Sequence, residues 1–279
     1  MNYGVKVELL NPEVLKKLYE NHGQFARVCY QSPGKPSVME KIGKSCQASG
    51  HMSGSRCEYI KFEITADRGT IEQIARSEVG CRYYPNDHYL YEDLLELNPR
   101  ISPDEVVKNI ASFRYIDKDA FGYTTPLNVE KIQEANDRYC ALMNHIDNER
   151  RAIKQILVDN GVDNHKAVED ANLVLPRATI TKIAIGFTPE ALIRFMNVRL
   201  CSRAQEYIHQ VAIEIKKLVQ EVNPEFAKEL VPSCQRLLYC PEGDRCCGAA
   251  PTKQQAKSYI QFYKDNFERN ILAEHEGAL

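Results

Sequence analysis

The chain has 279 residues, 43% hydrophobic and 27% charged, which excludes a disordered chain and suits one compact α/β domain or a domain with a substantial subdomain. Lys and Arg number 36 against 38 Asp and Glu, a formal charge of −2, so nothing global attracts duplex nucleic acid or an anionic membrane, and any anionic partner is small. Mean hydropathy is −0.44, no apolar run approaches the ~20 residues of a membrane span, and the start lacks a signal-peptide layout; the chain reads as cytoplasmic, its 10 cysteines thiols, metal ligands or reactive groups rather than disulfides.

Hydrophobic periodicity switches between two and 3.6, which predicts a mixed sheet with long helices, α/β (α+β) in class. YGVKVELL (3–10) alternates as a half-buried strand, and Asn11-Pro12 opens a short helix over 12–21. EYIKFEIT (58–65) alternates again through Ile60, Phe62 and Ile64, after which Gly69-Thr70 caps a helix that ends at Gly80. Residues 103–113 read as a helix with Ser102 as N-cap. The longest helical pattern runs from 128 to 159, an architectural helix closed by Gly161. ATITKIAIGF (178–187) is a strand. Thr188-Pro189 then starts a helix to Cys201, and a second helix follows over 203–222, marked by Ile208, Val211, Ala212, Ile215 and Val219. The body of the fold is assigned to 1–231; a Cys-rich turn region and a final helix, 252–273, occupy 232–279.

Charge faces inward in RFMNVRLCSRAQEYI (194–208). On a helix, Arg199 and Arg203 lie one turn apart on the stripe that carries Leu192, Phe195 and Met196. Buried guanidinium groups need full partnering, so these two either pair with internal carboxylates or line a pocket whose ligand supplies the acceptors. Cys201 between them, Cys81 and Cys57 read as packing thiols with nucleophilic roles as the alternative. His209 falls on the polar side of its helix and is expected to be solvated. The tyrosines at 83, 84, 89 and 91 read as an anchored loop.

The run from Arg199 to Gln205, preceded by Val174-Leu175-Pro176, resembles the C-terminal half of the flavin-dependent thymidylate synthases of the ThyX type. FARVCYQS (25–32), GHMSGSRCEYIKFEI (50–64) and QIARSEVGCRYY (73–84) are similar to further family segments in the same order, and SCQRLLYCPEGDRCCG resembles an extension that some members carry. The resemblance implies an FAD-containing homotetramer, its sites between subunits, that moves a methylene from methylenetetrahydrofolate to C5 of dUMP and reduces it with a flavin hydride drawn from NADPH, without an enzyme nucleophile. It implies nucleotide contacts at Gln73, Arg76, Glu78 and Arg82, a pyrimidine contact at Arg199, the residue expected to serve catalysis, and flavin or folate contacts at His51, Ser55, Glu58 and Arg203.

The departures are specific. Arg76 runs straight into Ser77-Glu78 where the family inserts His-Arg and a serine, Gly80 replaces a serine, Asn172 replaces a nucleotide-binding arginine, and Thr188-Pro189-Glu190 replaces an Asn-x-Arg that touches flavin. Two readings follow: a working enzyme in which Arg177 or another basic residue supplies the missing contacts, or a paralogue with a remodelled site for another pyrimidine nucleotide or for non-catalytic nucleotide binding. Cys234, Cys240, Cys246 and Cys247 read by default as buried or surface thiols, with no metal; a structural zinc site is the alternative, against which stand the five-residue gaps and the adjacency of the last two.

Overall fold

Residues 4–30, 34–77, 81–84, 121–259 and 261 are described by a computed structural model. Strand β1 (Lys6–Leu9) leads into helices α1 (Pro12–Lys16), α2 (Leu18–Tyr30) and α3 (Pro36–Ala48). The predicted helix at 12–21 is therefore two helices, and Asn11 does not cap the first. Its buried amide instead accepts from the Lys61 N–H at 2.7 Å and donates to the Tyr59 carbonyl at 2.8 Å, which ties the end of β1 to the start of the next strand. Helices α2 and α3 cross closely: a Cβ on Gly23 or Gly43 would fall within 2 Å of a carbonyl oxygen of the other helix, at Met39 and Tyr19 respectively, so only glycine permits the approach. Sequence reading missed α3, although Pro36 at its first turn and the buried Met39, Gly43 and Cys46 follow the helical period.

A 3₁₀ turn (Met52–Cys57) precedes β2 (Ile60–Asp67) and α4 (Arg68–Ala75). The cap of α4 is Asp67, not Gly69-Thr70: one carboxylate oxygen accepts from the Thr70 N–H at 2.9 Å and the other from its hydroxyl at 2.6 Å. The helix stops at Ala75, short of Gly80. After β3 (Cys81–Tyr84) come α5 (Leu127–Glu130), α6 (Gln133–Asp159), α7 (Asn164–Ala171), β4 (Ile180–Phe187), α8 (Pro189–Arg199), α9 (Glu206–Val222), α10 (Pro224–Ala227) and α11 (Ser233–Leu237). The predicted helix at 252–273 is helical over 253–259; its part beyond 261, the predicted helix at 103–113, and the tyrosines and histidine from 88 to 91 lie outside the described residues.

The strands form one sheet in the order β1-β2-β4-β3. Every neighbouring pair is antiparallel, with Phe62 opposite Ile185 and Cys81 opposite Phe187, so the sheet is antiparallel where a mixed one was expected, while the α+β class stands. Ile60, Phe62, Ile64, Ile183, Ile185 and Phe187 are fully buried, each worth about 1.5–3 kcal/mol. They pack with Ile71 and Ile74 of α4 and with Ile208, Val211, Ala212, Ile215 and Val219 of α9, the stripe that the sequence marked. A smaller cluster joins Phe121, Tyr123 and Leu175 to Met143 of α6.

Candidate functional site

Thr188 starts α8 as expected, its hydroxyl accepting from the Ala191 N–H at 3.2 Å, with Pro189 in the first turn. The helix ends at Arg199, and residues 200–205 form a turn before α9. Arg199 and Arg203 thus do not share one continuous helix; Arg203 projects from the connecting turn and is exposed. His209, expected to be solvated, is partly buried and donates Nδ1–H to the Arg199 carbonyl at 2.8 Å, satisfying an end-of-helix carbonyl and fixing where α8 stops.

This break opens a cavity of about 690 Å³. Asn197, Arg199, Ser202, Arg203 and Gln205 line one side, and Cys240, Glu242, Arg245 and Cys247 of the tail line the other. The tail is fastened there by the Ser233 hydroxyl, which donates to the Asn197 carbonyl at 3.0 Å. Burial lowers the Arg199 pKa from its ordinary value. None of the guanidinium groups of Arg199, Arg203 and Arg245 has an acidic partner or hydrogen-bond acceptor among the described residues, and the Asn197 amide oxygen is buried with no donor. Such a half-desolvated, unpaired cation fits a planar, anionic ligand that carries carbonyls, as a uracil nucleotide or a flavin does.

Gln73, expected at the nucleotide, reaches this place: its side-chain amide donates to Gln205 across 132 residues of sequence. Arg76 is exposed at the end of α4. The backbone of Arg82 pairs with Gly186 near the end of β4, just ahead of α8. Glu78 and Gly80 lie outside the described residues.

The expected flavin and folate residues are set apart. His51, Ser55 and Glu58 do not line the cavity. Ser55 is buried and its hydroxyl donates to the Met52 carbonyl at 2.7 Å, which closes the 3₁₀ turn. Glu58 accepts from Asn21 at 3.1 Å, while His51 is exposed. The turn does connect to α8: Arg56 Nε donates to Glu190 Oε2 at 2.8 Å, and Arg194 Nη2 reaches Glu190 Oε1 at 2.6 Å. The hydrogen bond from Arg56, with the Arg194 charge behind it, holds the Glu190 carboxyl below the usual range. The carboxylate that replaces a flavin contact is thereby neutralised internally.

Asn172 is buried and points away from the cavity, accepting from Arg150 Nη1 at 3.0 Å. Arg150 is itself 2% exposed and donates Nε and Nη2 to Asp147. Sequence reading missed it because an arginine among Glu149, Arg151 and Lys154 looks like a solvated face. Arg177 pairs with Glu72 at 3.0 Å. Cys247 is exposed, its thiol held below its ordinary pKa first by a hydrogen bond with Ser202 and further by Arg203 nearby. A bond from the Glu242 backbone favours the Cys240 thiolate, but burial and the adjacent Cys246 thiol outweigh it and push Cys240 up. Among the described residues no group of three or more His, Cys, Asp or Glu side chains is arranged to hold a metal ion, and no helix is long and apolar enough to cross a membrane.

The family model described as thymidylate synthase complementing protein matches residues 19–225. The flavin-dependent thymidylate synthase of Nitratidesulfovibrio vulgaris is 35% identical over 230 residues, 80% of this chain and 94% of the relative. That of Clostridium tetani is 29% identical over 266 residues, covering 88% and 94%; that of Geobacter sulfurreducens is 29% identical over 234 residues, covering 81% and 87%. The crystal structure of a UMP/dUMP methylase, PolB from Streptomyces cacaoi bound with 5-Br UMP, superposes with a TM-score of 0.54 at 17% identity, over 82% of this chain and 94% of that one, a likeness of fold.

Proposed function

The chain belongs to the flavin-dependent thymidylate synthase family, and we propose that it methylates C5 of dUMP reductively in the cavity beside Arg199. The observation that carries this reading is the half-buried Arg199 guanidinium, unpaired among the described residues, in a cavity that Arg203 also lines. When bound, FAD supplies the hydride, replenished by NADPH, and methylenetetrahydrofolate the one-carbon unit. The residues of the chain do the rest. Arg199 donates to the carbonyl edge of the pyrimidine and orients the ring so that C5 faces the incoming one-carbon unit. Arg203 holds the flavin side. Gln73, anchored on Gln205, closes the edge of the site, and the tail walls it from water. We read residues 232–279 as an extension of a domain of residues 1–231, and the working form as a cytoplasmic homotetramer whose sites lie between subunits.

The inward-facing Asn172 and the shortened signature after Arg76 favour a second reading, a site remodelled for another pyrimidine nucleotide. Purified protein that is yellow, releases FAD on denaturation and binds dUMP by calorimetry supports the first. Protein that is colourless and takes up no added FAD refutes it; FAD-loaded protein that prefers UMP over dUMP selects the second.

A further inference from the structure

A buried histidine outside the cavity, His22 of α2, is 1% exposed and takes no part in the chemistry above. Its Nε2 donates to the His51 carbonyl at 2.9 Å. The residue before it, Asn21, donates from Nδ2 to Glu58 Oε1 at 3.1 Å. Two consecutive side chains of one helix therefore hold both ends of the segment from His51 to Glu58. The middle is seated on the same helix: a Cβ on Gly54 would come within 2.7 Å of His22 Cδ2 and 3.0 Å of the His22 carbonyl oxygen, so the turn lies flat on the imidazole only because residue 54 is glycine. From the other side Arg56 ties the turn to Glu190 at the start of α8.

We propose that Asn21 and His22 are positioning residues that set flavin affinity by fixing the 51–58 segment against α2. The proposal rests on reading that segment as a flavin contact. Freed from the imidazole, the 3₁₀ turn keeps its short-range bonds and the ties through Arg56 and Glu58 but loses its seat on α2, and a ligand that needs it ordered must supply that ordering when it binds.

The test strips the purified protein of flavin and titrates FAD into four forms: wild type, His22→Leu, His22→Gln and His51→Ala, with amide hydrogen exchange of residues 52–57 followed in parallel. His22→Leu is expected to weaken FAD at least tenfold and to speed exchange of the turn. His22→Gln, which keeps an N–H donor at similar reach, is expected to stay within about threefold of wild type. Asn21→Ala gives a milder loss in the same direction and serves if His22→Leu does not fold. Weakening by His51→Ala with no weakening by His22→Leu or Asn21→Ala overturns the proposal alone. FAD affinity unchanged in all variants, or no FAD uptake by wild type, overturns the reading beneath it and the proposal with it. Equal weakening by Leu and Gln at position 22 also overturns it, since the hydrogen bond then has no role.

Discussion

Arg150 Nη1 donates to the Asn172 amide oxygen at 3.0 Å, joining the long helix α6 to the turn that opens the Val-Leu-Pro segment. Asp147 balances the guanidinium charge, accepting at 2.8 Å. Removing Arg150 leaves the buried Asn172 oxygen without this donor and Asp147 with Arg151, which pairs with it at 2.7 Å: Arg150→Ala should destabilise the protein by about 1–3 kcal/mol. Urea denaturation of the two proteins measures it, and a loss under about 1 kcal/mol refutes the bond's importance. Asn172→Arg, which restores the family residue, should also destabilise, because it puts a second guanidinium against Arg150 inside the fold.

Arg199→Ala should leave the melting temperature within a few degrees of wild type and remove dUMP binding. The guanidinium has no partner among the described residues to strand, and burial already disfavours its charge, so the fold loses little while an anionic ligand loses its charge-assisted donor. Calorimetry that shows dUMP bound with unchanged affinity assigns the nucleotide elsewhere.

Arg245 was not singled out in the sequence, yet it lines the same cavity from the tail. It is exposed, so its attraction to a phosphate is screened, and Arg245→Ala should weaken dUMP by roughly tenfold, a cost of about 1.4 kcal/mol. The effect should shrink as salt rises. No change at low ionic strength would leave the tail as a wall without a binding role.

Much of this frame was legible because apolar spacing and capping chemistry act locally. The stripe Ile208 to Val219 and the Thr188-Pro189 start of α8 are set by residues within a few positions of one another. The break between α8 and α9 was read a few residues late, between Cys201 and Arg203; its anchor was not legible, since His209 takes the carbonyl of Arg199 ten residues before it. Ser55 was expected at the flavin from the resemblance alone; that its hydroxyl also closes a turn by bonding Met52 is something only the folded backbone reveals. The partnership of Gln73 with Gln205 and of Arg56 with Glu190 spans more than a hundred residues each, beyond any periodicity. The inherited order of motifs carried the reading there instead.

Two buried or paired groups give stability an acid-side dependence. Burial lowers the His22 pKa from 6.5, so the folded state resists a proton that the unfolded chain accepts: the contribution is complete above about pH 6.5 and is lost as pH falls through the lowered value. The Glu190 carboxyl, held down first by Arg56, contributes above its ordinary 4.5 and loses that contribution at lower pH; being partly exposed it adds under about 1 kcal/mol. Denaturation midpoints should therefore fall from pH 6.5 downward, by at most about 1.4 kcal/mol per pH unit for one proton. His22→Gln should flatten the upper part of that decline and Glu190→Gln the lower. A decline that His22→Gln leaves intact between pH 6.5 and 5 rejects the assignment.

Helix α6 leaves a row of apolar side chains in water: Leu142, Ile153 and Ile156 are 52%, 37% and 60% exposed and fall on one face by their spacing of eleven and three. Leu173 and Val174, in the 3₁₀ turn packed beside the helix, are exposed as well. The side that α6 buries holds Met143, Asp147 and Arg150 instead. An exposed stripe of this length, continuous with a second apolar turn, suits a second copy of the chain, in keeping with the proposed homotetramer. Ile156→Asp places an unpaired charge in such an interface and should convert tetramers to smaller species in sedimentation velocity. Because the sites are proposed to lie between subunits, the same variant should lose FAD while the far-ultraviolet circular dichroism stays near that of wild type. A variant that remains tetrameric and yellow shows that this face stays open to water, and the assembly must then use another surface.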